Sequence, residues 1–134
     1  MFGGEMRPDP IQSSTARKPL LVVEDDPTIR ENLQELLHDE GYTVRTAPNG
    51  KAALESLREH GDCGLVLLDL QMPVMTGEQL LDALAHEQNP AVRDVPVLVL
   101  TARAEGLQRV GIVGLIKKPI DIDHLLREVR RHCG

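Results

Sequence analysis

Five short apolar runs punctuate the chain: Leu20–Val23, Tyr42–Thr46, Leu65–Leu68, Val95–Leu100 and Ile112–Ile116. All but the second are nearly continuous in aliphatic residues. Continuous runs of this length suit strands buried on both faces of a parallel sheet, whereas the weak alternation of Tyr42–Thr46 suits a more peripheral strand. Between the runs the period changes to that of a helix. Ile29, Leu33, Leu36 and Leu37 recur at helical spacing after Asp26-Pro27, a cap followed by a first-turn proline, and Gly41 closes that helix. Ala52, Ala53, Leu54 and Leu57 follow the Asn49-Gly50 turn, with Gly61 as the stop. Leu80, Leu81 and Leu84 follow Met75-Thr76-Gly77, and Ile122, Leu125, Leu126 and Val129 follow Asp121, a candidate cap. The stretch Ala102–Val110 offers only Leu107 and Val110 as anchors.

Strand and helix thus alternate along the chain. Such alternation predicts a doubly wound α/β domain: a five-stranded parallel sheet, right-handed crossovers and helices on both faces. Residues 1–18 carry Gly, Pro, Ser and mixed charges without periodicity and are expected to form a flexible leader, leaving 19–134 as the domain.

In an open parallel sheet ligands bind beyond the carboxyl ends of the strands, so the residues there carry the chemistry. The first run ends in Glu24-Asp25-Asp26, the third in Asp69, the fourth in Thr101 and the fifth in Lys117-Lys118-Pro119. Asp26 has a structural task as a helix cap; Glu24 and Asp25 have none. Converging carboxylates repel by about 4 kcal/mol per pair at about 4 Å and an effective dielectric near 20. A hard divalent cation relieves that repulsion, and Mg²⁺ accepts one or two carboxylates while keeping its waters. An ammonium and a hydroxyl opposite it suit a phosphoryl group, and a carboxylate such as Asp69 can serve as the nucleophile that receives one.

Composition narrows the choice. A formal net charge of −6 disfavours a nucleic-acid surface. Phe2 and Tyr42, the only aromatics, give no stacking platform for single strands. Cys63 and Cys133 make no disulfide framework and read as a buried thiol and a loose one. No apolar run approaches a membrane span and no signal peptide is evident, so the expectation is a cytoplasmic protein without membrane contact.

Leu21-Val22-Val23-Glu24-Asp25-Asp26, Leu67-Leu68-Asp69-Leu70-Gln71-Met72-Pro73, Leu100-Thr101-Ala102 and Lys118-Pro119, in this order on successive strand ends, resemble the receiver domain of two-component response regulators. The resemblance spans roughly Lys18 to Cys133. It implies a flavodoxin-like strand order 2-1-3-4-5 and phosphotransfer to Asp69 from a histidine kinase or histidine phosphotransfer protein. It implies Mg²⁺ held by Asp25, Asp69 and the carbonyl of Gln71, with Glu24 acting through water. Thr101 and Lys118 would meet the phosphoryl group, and Lys118-Pro119 would be cis. Such a module catalyses only its own phosphorylation and dephosphorylation. The expected protein is a monomer or a phosphorylation-dependent dimer without an output domain, acting on a downstream protein.

Two departures stand out. The family places an aromatic residue three positions before the lysine, where this chain has Leu115, a residue expected to stay buried. The segment between Thr101 and Lys118 is short, so the fourth helix is expected to be stunted or absent. Two other readings compete: a receiver-like interaction domain that is never phosphorylated, and a Mg²⁺-dependent phosphatase of the haloacid dehalogenase type. The latter usually needs a second Asp two residues after the nucleophile, where Gln71 stands.

Overall fold

A computed structural model describes residues 18–70, 72, 75–102 and 111–133. The elements are β1 (Leu20–Val23), α1 (Pro27–Asp39), β2 (Val44–Ala47), α2 (Gly50–His60), β3 (Leu65–Asp69), α3 (Gly77–Ala85), α4 (Pro90–Arg93), β4 (Val97–Thr101), β5 (Ile112–Lys117) and α5 (Ile122–Cys133). The five strands form one parallel sheet in the order β2-β1-β3-β4-β5. This is the doubly wound, flavodoxin-like order, and it reverses between β1 and β3.

Alternation along each strand divides the apolar residues between two cores. Leu21, Val23, Val66, Leu68, Val97 and Val99 pack on one face beneath Leu54 and Leu57 of α2 and Leu80, Leu81 and Leu84 of α3. Leu20, Val22, Leu65, Leu67, Leu98 and Leu100 pack on the other with Leu33 and Leu37 of α1 and Leu125 and Val129 of α5. Burial of each such side chain contributes about 1.5–3 kcal/mol. This explains why β1 is apolar throughout and why β3 and β4 are apolar up to their last residues, Asp69 and Thr101.

The caps follow the local sequence. Asp26 Oδ1 accepts from the backbone N–H of Thr28 at 2.8 Å and of Ile29 at 3.2 Å. Thr76 and Gln79 form a reciprocal capping box on α3, Asn49 caps α2, and Asp121 Oδ1 accepts from His124 N at 3.2 Å. Gly41 takes φ 96°, a conformation that favours glycine.

Several boundaries differ from expectation. β2 begins at Val44 rather than Tyr42, and Tyr42 is instead buried beside α1. β4 begins at Val97 rather than Val95, because Pro96 supplies no N–H to a ladder, although its carbonyl accepts from Val66 N. Ile29 and Ile122 lie on predicted apolar stripes yet are 38% and 44% exposed, each in the first turn of its helix, where the packed stripe has not yet begun. The single-turn α4 is unforeseen; its signal is Asn89-Pro90, a cap followed by a first-turn proline. This fourth helix in chain order is short. The stunted or absent helix expected within 102–110 falls, apart from Ala102, outside the described residues, as do residues 1–17 of the expected leader.

The strand-start edge closes tightly. Gly64 N donates to Pro19 O at 2.8 Å, and a Cβ on Gly64 would lie 2.7 Å from Lys18 Cβ and 3.1 Å from Cys133 Sγ. Lys18 and Cys133 therefore sit side by side at the edge where the strands begin. Both cysteines are only partly buried. Cys63 Sγ donates to Leu65 O at 3.3 Å, and burial pushes its thiol up to about 11. No helix among the described residues is long and apolar enough to cross a membrane.

Candidate functional site

The register of the sheet brings the strand-end residues together. Val23 pairs with Leu68, so Glu24, one residue beyond β1, stands level with Asp69 at the end of β3. Asp69 pairs with Leu100, which sets Thr101 one step further out, and Thr101 pairs with Lys117. Lys118 N donates to Thr101 O at 2.8 Å, and the Lys118-Pro119 peptide is cis. The cluster therefore lies where the strand order reverses, the general location of ligand crevices in such sheets.

Carboxylate oxygens of Glu24, Asp25 and Asp69 lie within 4.8 Å of one another, and Asp25 is the most exposed of the three. Glu24, Asp69 and Thr101 are 2%, 3% and 2% exposed. Lys118 Nζ reaches Asp69 Oδ1 at 3.3 Å and Glu24 Oε1 at 3.7 Å. The neighbouring Lys117 is exposed, as strand alternation requires.

Three carboxylates against one ammonium leave an excess of negative charge, and Glu24 shows the strain. Burial, reinforced by the Asp69 charge and a hydrogen bond with Asp25, raises its carboxyl from 4.5 to about 7. The Asp26 N–H, which donates to Glu24 Oε2 at 3.2 Å, and Lys118 act in the opposite direction. Glu24 Oε1 is buried and has no hydrogen-bond partner. A cluster of hard oxygen donors, one of them unsatisfied, fits a small divalent cation better than it fits the empty core of a protein.

α3 supports Asp69 from behind. A Cβ on Gly77 would lie 2.6 Å from Leu70 Cα and 3.0 Å from Asp69 O, so only glycine lets the helix approach the chain leaving β3. On the opposite side, Arg30 of α1 donates from Nη1 to Glu24 O at 3.0 Å and to Asp25 O at 3.4 Å. Sequence patterning assigned Arg30 nothing, because an arginine on a helix is ordinarily a solvated residue. The clue was its place one turn after the Asp26 cap.

Of the residues expected at the site, Glu24, Asp25 and Asp69 are mutual neighbours, Lys118 reaches Glu24 and Asp69, and Thr101 ends the adjacent strand. Gln71 lies outside the described residues. Leu115 pairs with Val99 and is only partly buried, in contrast to the expected burial, because β5 is the edge strand and covers less of the core. Two cavities of about 450 and 500 Å³ lie elsewhere, at the strand-start edge and beside α3, and none of the strand-end residues lines either.

The family model of the response regulator receiver domain matches residues 20–130. An uncharacterised 14.6 kDa protein of Leptolyngbya boryana is 37% identical over 123 residues, covering 88% of this chain and 92% of that protein. The CpxR homologue of Haemophilus influenzae, a transcriptional regulatory protein, is 38% identical over 83% of this chain and 48% of its own length. The chain thus spans about half the length of that regulator. Among solved structures, the chemotaxis protein CheY4 of Vibrio cholerae superposes with a TM-score of 0.77 at 30% identity, covering 87% of this chain and 99% of that one. The response regulator TrrA of Thermotoga maritima, in complex with Mg²⁺ and BeF, gives 0.72 at 32% identity over 85% and 97% of the two chains.

Proposed function

Since this chain belongs to the response regulator receiver family, we propose that Asp69 accepts a phosphoryl group from a phosphohistidine on a histidine kinase or phosphotransfer protein. The observation that carries this reading is a buried carboxylate at the end of the central strand, with an ammonium at 3.3 Å and two further carboxylates beside it. One Asp69 oxygen attacks phosphorus, the P–N bond breaks with its electron pair going to nitrogen, and the imidazole, already protonated on its other ring nitrogen, leaves as the neutral base. Asp25, Asp69 and the carbonyl of Gln71 would hold Mg²⁺, with Glu24 assisting through water. When bound, the cation neutralises charge on the transferring group.

Lys118 already contacts the Asp69 oxygen and is placed to exchange that contact for one with a phosphoryl oxygen. Thr101 ends the neighbouring strand and would donate its hydroxyl to the same group. The chain is a signalling module whose chemistry is confined to its own Asp69, and its conformational change is read by a downstream partner. Incubation with acetyl phosphate and Mg²⁺, followed by intact mass measurement, tests the reading. One acid-stable, base-labile phosphoryl group is expected on the parent and none on Asp69→Asn. Equal uptake by both proteins, or none by the parent, refutes it; the latter result identifies a receiver-like interaction domain.

A further inference from the structure

Arg30 stands near the N-terminus of α1, where a cation opposes the helix macrodipole. Its guanidinium turns back onto the β1–α1 corner and bonds the carbonyls of Glu24 at 3.0 Å and Asp25 at 3.4 Å. These carbonyls belong to the two peptide planes that flank the Asp25 Cα. Holding both planes fixes the backbone dihedrals of Asp25, and with them the direction of its Cα–Cβ bond. The corner is secured on either side as well: Glu24 N donates to Ala47 O at 3.1 Å, and Asp26 N donates to Glu24 Oε2 at 3.2 Å. Asp25 is the most exposed of the three carboxylates and has the least packing to orient it.

We propose that Arg30 is a positioning residue for the cation site: it clamps the backbone on both sides of Asp25 and so aims that carboxylate at Glu24 and Asp69. This rests on the reading of the acidic cluster as a Mg²⁺ site. Both bonds come from one nitrogen, Nη1, whose N–H groups are held in the plane of the guanidinium, whereas a rotating ammonium would engage the two carbonyls with less geometric constraint.

The proposal makes a prediction whose sign separates it from a simple effect of charge. Removing a positive charge beside a cation site should tighten Mg²⁺ binding on Coulombic grounds alone. Loss of the clamp should weaken it. Arg30→Met and Arg30→Lys are compared with the parent by calorimetric Mg²⁺ titration and by the amide resonances of Asp25 and Asp26 in the metal-free protein. Arg30→Met should weaken Mg²⁺ binding on the order of tenfold, the range seen when outer contacts to a ligand are removed. Its Asp25 and Asp26 resonances should move while those of β3 and β4 stay in place. Arg30→Lys, which keeps the charge, should also bind more weakly; it carries the comparison if Arg30→Met does not fold. Tighter or unchanged binding by the variants, or unmoved Asp25 resonances, overturns the role of Arg30. A parent that binds no Mg²⁺ overturns the cation site itself, and the proposal with it.

Discussion

Glu24→Gln isolates the cost of the acidic cluster. In the folded, metal-free protein the Glu24 carboxyl is raised from 4.5 to about 7, chiefly by burial. An acid whose folded value lies above its unfolded value binds its proton more tightly when folded. Its contribution to stability is therefore complete below about 4.5 and is lost as pH rises through about 7. At about 1.4 kcal/mol per unit, the span amounts to about 3 kcal/mol. The glutamine retains the shape and an acceptor for the Asp26 N–H but does not titrate.

Urea unfolding in the presence of a chelator, followed by far-ultraviolet circular dichroism, measures the effect. The parent should lose about 3 kcal/mol relative to Glu24→Gln between about pH 4.5 and pH 8, and the variant should be the more stable protein at the upper end. Titrations of groups remote from Glu24 are common to both proteins and cancel in the difference. A difference that does not vary with pH, or a variant that loses stability relative to the parent as pH rises, would refute the reasoning. Saturating Mg²⁺ should restore stability to the parent more than to the variant, since the cation removes the repulsion that the glutamine has already relieved.

Two further outcomes follow from the geometry. Lys118→Ala should slow phosphorylation of Asp69 by acetyl phosphate about tenfold or more, as expected for loss of a charge-assisted contact, while Lys117→Ala, at an exposed position, should leave the rate near that of the parent. Gly77→Ala places a carbon 2.6 Å from Leu70 Cα and should cost about 1–3 kcal/mol in urea unfolding; an unchanged midpoint would show that α3 can retreat without cost.

The strands were legible because burial on both faces leaves few polar residues in β1, β3 and β4. The site was legible because the same pattern makes an isolated Asp69 or Glu24-Asp25 at the end of an apolar run conspicuous. Edges were less so. Pro96 displaced the start of β4 by its missing donor, and Ile29 and Ile122 continue a helical stripe into a first turn that is only partly covered. The partial exposure of Leu115 depends on β5 being outermost, a property of strand order rather than of the residue. Arg30 was invisible for a different reason: its contacts are to backbone carbonyls, and a carbonyl leaves no mark in a sequence.

The adjacency of Lys18 and Cys133 at the strand-start edge has a practical consequence. Strands of four and five residues at about 3.3 Å each separate that edge from the acidic cluster by roughly 15 Å of packed sheet. A reporter, surface tether or fused protein attached beside either residue would project away from Asp69 and leave the approach of a phosphodonor open. Lys18 and Cys133 could also be joined by a short linker and the chain reopened elsewhere, giving a circular permutant in which the acidic corner and its supporting strands stay as they are.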